Sequence, residues 1–275
     1  MPRAIKQIVF GAGFLVIIGF ISFGIYQLWK VEPTCSDQIQ NQGEEGVDCG
    51  FVCTNTCLDT MSPIDIQSGY LFKMVENDLE KDYDVLFKIR NPNSGFGASE
   101  IEYEVNLFDA KNSLFLRKRG FSYILPGQTK YIYEPMIRTE VPARRVELKI
   151  ISVSWQRLRG LGEEVQFAVR SKDYAANGKP GVFSHASGTI YNNSNLDFDR
   201  VDLVVVLFKE DIPVRANKTD LRTFLAGTDR YFEVDWTQSF EAIPDRVDVE
   251  ANTNVFESFN FINRYGTEEK FQRRY

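Results

Sequence analysis

The sequence predicts a mainly-β protein, with two tandem antiparallel β-sandwiches following one N-terminal transmembrane helix. Three observations predict it. A long uncharged apolar run opens the chain, and short alternating runs separated by turn residues fill most of the rest. The alternating pattern is also written twice, about one hundred residues apart, which marks a duplicated unit. Val105-Asn106-Leu107-Phe108-Asp109 recurs as Val205-Val206-Leu207-Phe208-Lys209, and Leu125-Pro126-Gly127 as Leu225-Ala226-Gly227. Asn91-Pro92-Asn93-Ser94 answers to Asn192-Asn193-Ser194, and Arg145-Val146-Glu147-Leu148 to Arg246-Val247-Asp248-Val249.

Residues 1–7 carry Arg3 and Lys6 and form a short basic lead. Residues 8–29 are nearly all apolar and uncharged; as a helix they would run about 33 Å, enough to cross the hydrocarbon core. Positive charge on the short leading side predicts a cytoplasmic N-terminus, with the lipid bilayer contacted through 8–29 and everything after it extracytoplasmic. A cleaved signal peptide is the competing reading. The run exceeds a signal core in length, however, and no small-x-small cleavage site follows it.

Residues 33–58 hold all four cysteines, Cys35, Cys49, Cys53 and Cys57, among Gly, Asn, Asp and Gln. Such a stretch cannot bury a core, so a covalent or metallic tie must order it. An even count on the outer side of an anchor predicts two disulfides, with all three pairings open. Structural zinc is the rival, but the three-residue gaps differ from the two-residue knuckles of zinc sites. Asp37, Asn41, Glu44 and Asp48 offer hard oxygen ligands of the kind Ca²⁺ takes. Their spacing is not that of an EF-hand, and side chains that stabilise turns account for them equally well.

Residues 60–156 read as the first sandwich. Ile101, Tyr103, Val105 and Leu107 point one way; Glu100, Glu102, Glu104 and Asn106 point the other, as in a strand buried on one face. Runs at 84–89, 120–124, 130–133 and 146–153 supply further strands, with turns at Asn91-Pro92, 109–112 and Pro126-Gly127. Residues 163–263 repeat the scheme, with strands at 181–191, 201–208, 221–225, 231–236 and 247–251. Here Val201, Leu203, Val205 and Leu207 form the inner set, while Val204, Val206 and Phe208 make the opposite face apolar as well. A strand apolar on both faces is covered on both. The first repeat, another subunit or a partner could be the cover, as could a loop of the same domain. Val204, Val206 and Phe208 are therefore the predicted interaction face. The linker at 156–164 is short, so the sandwiches should touch. Residues 264–275 form a polar, partly basic tail.

The chemistry available is limited. A net charge of -6 lacks the basic face that nucleic acid requires. The lone histidine, His185, follows Ser184, but neighbours on a strand point to opposite faces and no strained nucleophile elbow is present. No phosphate-binding loop or zinc-protease motif occurs, so no catalytic or cofactor-binding residue is assigned. A glycosidase could still place two carboxylates among 38 acids.

Two resemblances follow from these residues. Cys35, Asp37, Ile39, Asn41, Glu44, Val47, Asp48, Cys49, Gly50 and Cys53 match position by position a short cysteine-rich motif of bacterial surface and secreted proteins. Gln38 and Phe51 stand where that motif has glycines. The repeats resemble the FxLYD-type domains of bacterial envelope proteins, related in fold to late-embryogenesis-abundant type 2 sandwiches of immunoglobulin- or fibronectin-like architecture. That resemblance implies a non-enzymatic role. The expectation is a single-pass protein of the cytoplasmic membrane, binding or scaffolding an envelope protein or a second copy of itself. A surface glycan hydrolase and a purely structural stalk are the alternatives.

Overall fold

A computed structural model describes residues 2–29, 35–41, 43–44, 46–50, 53, 61–76, 81–158, 165–240 and 242–265. The chain divides into two units, Met1–Thr60 and Met61–Tyr275. In the first, α1 (Arg3–Trp29) begins several residues before the apolar run; its segment Ile5–Tyr26 is long and apolar enough to span a membrane. Glycines do not break it, because helix formation here draws on an unbroken series of residues without proline or internal charge after Lys6.

Among its described residues, the second unit contains twelve strands and a short closing helix. The first six are β1 (Asp65–Glu76), β2 (Lys81–Arg90), β3 (Phe96–Phe108), β4 (Leu114–Ile124), β5 (Thr129–Thr139) and β6 (Arg145–Arg157). They form two antiparallel sheets, ordered β1-β2-β5 and β4-β3-β6. The next six are β7 (Phe167–Lys179), β8 (Val182–Asn192), β9 (Phe198–Lys209), β10 (Ile212–Phe224), β11 (Asp229–Trp236) and β12 (Arg246–Asn252), followed by α2 (Phe259–Tyr265). Their sheets are β7-β8-β11 and β10-β9-β12. Strand for strand, this is the topology of the first six. The repetition in sequence is thus a repetition of fold.

Each sandwich fills its interior with the alternating residues of its central strands. Ile101, Tyr103, Val105 and Leu107 of β3 meet Val85, Phe87 and Ile89 of β2 in the first. Val201, Leu203, Val205 and Leu207 of β9 meet Ala186 and Ile190 of β8 in the second, where Phe256 and Phe261 join the same core. Fully burying one such side chain contributes roughly 1.5–3 kcal/mol.

One buried asparagine fastens the same end of each sandwich. Asn91, fully buried, donates from Nδ2 to the carbonyls of Phe96 (2.6 Å) and Leu125 (3.0 Å). Asn192, equally buried, donates to Leu196 (2.9 Å) and Phe224 (3.2 Å). The amide thus ties the end of one sheet to two strands of the other, where apolar side chains could not satisfy the carbonyls.

A third apolar layer joins the two sandwiches. Tyr70, Phe72, Leu86, Tyr131 and Tyr133, on the outer face of β1-β2-β5, pack on Val204, Val206, Phe208 and Ala216 of β9 and β10. The second unit is therefore a stack of four sheets around three apolar layers. The linker region contributes too, since Leu158 packs on the second core and its amide donates to Gly95 O. Residues 159–164 of the predicted linker lie outside the described residues, as do 266–275 of the tail.

Candidate functional site

The predicted interaction face is where the sandwiches join. Val204, Val206 and Phe208 are 9%, 0% and 6% exposed. Of the covers that β9 could have, the first repeat provides it. Val204, Val206 and Phe208 are thus spent inside the chain, under the first of the covers expected for them, and present nothing to an outside partner.

The junction is polar at both ends of its apolar layer. At one end the buried Asp84 accepts from Tyr133 Oη (2.5 Å) and Met136 N (2.8 Å). Burial pushes its carboxyl up, against the pull of those two donors and of Arg215. Arg215 of β10 donates to Lys73 O across the junction (3.1 Å), and burial lowers its guanidinium. Lys218 reaches Tyr133 O at 3.4 Å.

At the other end, side chains of β12 reach β5 and the turn before it. Glu250 Oε1 accepts from the amide of Tyr131 (2.9 Å) and from Asn252 Nδ2 (2.6 Å); Asn252 Oδ1 accepts from Gln128 Nε2 (2.5 Å). Tyr131 belongs to an edge strand, so the Glu250 carboxylate occupies an amide that would otherwise invite another strand. Lys130, buried, sets its ammonium 3.7 Å from the centre of the Tyr123 ring. The Tyr123 hydroxyl is buried with no hydrogen-bond partner among the described residues. Burial lowers Lys130 to about 8, against the attraction of Glu250 and Asp202, and burial raises Glu250 and Tyr123. An open cleft of about 370 Å³ adjoins this end, lined by Gln128, Phe167, Asn252 and Thr253 among others.

The cysteine segment is tied by Cys35–Cys53, with Cα atoms 5.4 Å apart; Cys49 is also disulfide-bonded, and Cys57 lies outside the described residues. Glu44 Oε1 lies 3.0 Å from Cys53 Sγ, but both sulfurs beside it are in the disulfide and offer no thiolate to a metal. The four oxygen-bearing residues come together. Asp48 accepts from the amides of Asp37 and Gln38, Asp37 from those of Ile39 and Asn41, and Glu44 from the main chain of Asn41 and Asp48. Each carboxylate is thus engaged by an amide of its own loop, the work of a turn stabiliser. Gln38, which replaces a motif glycine, holds φ at +60° and keeps the turn at the cost of a left-handed non-glycine backbone.

His185 and Ser184 part as strand geometry requires. Ser184 is fully buried, while His185 belongs to the outward set of β8 and pairs across the strands with Asp235.

The sequence offered no signal for Lys130 or Glu250. A lysine near the Leu-Pro-Gly turn and a glutamate in a short strand are ordinary surface residues until two domains are placed against each other.

Comparison with known proteins adds little. No protein-family model matches this chain, and no curated protein does. Among solved structures, a red sea bream transglutaminase is similar at 10% identity and a TM-score of 0.18, over 68% of this chain and 30% of that one. At that score the likeness carries no argument about function.

Proposed function

We propose that this chain is a membrane-anchored, extracytoplasmic binding or scaffold protein of the cell envelope. One observation carries the reading: a helix of membrane-spanning length and a disulfide-tied segment precede a single β body formed by two fused sandwiches. A disulfide belongs in an oxidising compartment, which favours the outer side of the membrane for everything after α1. The bacterial surface motif and the FxLYD-type resemblance agree with that placement.

The body also has two distinguishable ends. Residue 65, where its first strand begins, shares an end with Asn91, Gln128 and Asn252. The opposite end carries the turns around 109–113, 140–144 and 210–211, with Ile212 and Ile243 exposed at 62% and 80%. A partner protein is best sought there. The test is co-purification from mildly solubilised membranes, comparing the wild type with an Ile212→Ser, Ile243→Ser variant. The reading predicts a partner retained by the wild type and lost by the variant. Recovery of the chain alone at every ionic strength would sink it, and so would protease on intact spheroplasts sparing the sandwiches.

A further inference from the structure

We propose that the buried carboxylate of Glu44 guards the Cys35–Cys53 disulfide against thiol exchange, and that the exchange it still permits enters at Cys35. The cysteine segment carries this by itself, whichever surface of the sandwiches meets a partner. Glu44 and Cys53 are 7% and 9% exposed, while Cys35 is half-buried. Glu44 lies within 4.8 Å of both sulfurs, and its Oε1 stands 3.0 Å from Cys53 Sγ. A sulfur in a disulfide carries no hydrogen, so this contact is not a hydrogen bond. Buried acceptors are ordinarily turned to donors, and one held against a sulfur that has no proton calls for another explanation.

The loop keeps the carboxylate in that position. Oε2 accepts from the amides of Asn41 (3.3 Å) and Asp48 (3.2 Å), while Oε1 is turned to the sulfur. The main-chain carbonyl of Glu44 accepts from Gln40 Nε2 (3.2 Å), and Cys53 N donates to Gly50 O (2.9 Å). The neighbouring carboxylates of Asp37 and Asp48 are turned instead to amides of Gln38, Ile39 and Asn41.

Exchange begins when an outside thiolate attacks one of the two sulfurs. A new S–S bond joins the outside sulfur to the attacked one. The old bond breaks, and its electron pair leaves on the other sulfur, which takes a proton from water. The outside thiol is oxidised and the departing cysteine is reduced. Attack at Cys53 must reach a buried sulfur whose neighbouring carboxylate repels the incoming anion. Attack at Cys35 avoids that contact but puts the leaving thiolate on Cys53, 3.0 Å from the same carboxylate. A like charge disfavours the thiolate there, and a poorer leaving group slows exchange. The first route is opposed by burial and charge, the second by charge alone, so the remaining exchange runs through Cys35.

The full chain in detergent, with its disulfides intact, is treated with 2-mercaptoethanol, quenched in acid and mapped by mass spectrometry. Glu44→Gln keeps a side-chain oxygen for the two loop amides and removes the charge. It should open Cys35–Cys53 about tenfold faster than the wild type. The disulfide at Cys49, in the same segment, should keep its rate. In the wild type the 2-mercaptoethanol adduct should stand on Cys35. Equal rates in the two proteins overturn the guard, as does equal acceleration of both disulfides, which a loosened loop would give. An adduct on Cys53 of the wild type overturns the assigned entry, and that reading needs no variant.

Discussion

At the scale of single residues, the fold depends on two buried amides. Asn91 and Asn192 each satisfy two carbonyls at the end of a sandwich, a position where water cannot reach. Replacing either by alanine strands those acceptors, at a cost of about 1–3 kcal/mol per unsatisfied group. Asn192→Ala should therefore lower the urea midpoint of the second unit by an amount equivalent to roughly 2–4 kcal/mol. Asn192→Asp should be no rescue, since a carboxylate accepts and cannot donate. The asparagines were visible in the sequence as turn landmarks, but their work was not. A motif reading gives Asn a turn, whereas the register shows its side chain bridging two sheets.

At the scale of elements, the sequence revealed the central strands and missed the first strand of each repeat. β3 is legible because Ile101 to Leu107 alternate with Glu100 to Asn106, and β9 because it is a nearly continuous apolar run between two neighbours. β1 and β7 are edge strands whose register slips, between Ile66 and Ser68 in β1 and between Val169 and Ser171 in β7. Gly69 of β1 also lies against the Phe87 ring, so the strand lacks a side chain where the alternation would need one. Lying at the edge, neither strand offsets its slip with a continuous apolar run, as the central β9 does. The cysteine segment was legible in its chemistry but not in its pairing. Breaking Cys35–Cys53 with Cys35→Ala, Cys53→Ala removes a cross-link with a sequence separation of 18, worth about 3 kcal/mol of local order. Limited proteolysis should then cut within 35–53, while the unfolding transition of the β body stays where it was, because the two belong to separate units. A shift of both together would show that the units are thermodynamically one.

At the scale of the whole molecule, the repeats do not meet through matching faces. The β1-β2-β5 sheet of the first packs on the β10-β9-β12 sheet of the second, so each copy contributes a different side. The sequence showed that β9 needed a cover and that the sandwiches should touch, yet it could not say that one fact explained the other. That choice depends on Leu86 and Tyr133 lying on the same outer face, which the register of β2 against β5 decides.

Such a front-to-back arrangement has no internal reason to stop at two. Contacts between unlike faces can repeat without limit, whereas those between like faces close on themselves. The two unused faces differ in chemistry from the two that meet. On the first copy, Glu102 and Glu104 stand where the second has Asp202 and Val204, and they are paired with Arg117 and Arg119. On the second copy, Ser187 and Glu233 face each other where the first has Leu86 and Tyr133. The molecule is thus a two-member stack whose outer faces carry charge beside the exposed Phe121 and Tyr231. Glu102→Val, Glu104→Val on one outer face, combined with Ser187→Leu, Glu233→Tyr on the other, should let chains add end to end. Light scattering should report growth for the combined variant and little for either pair alone.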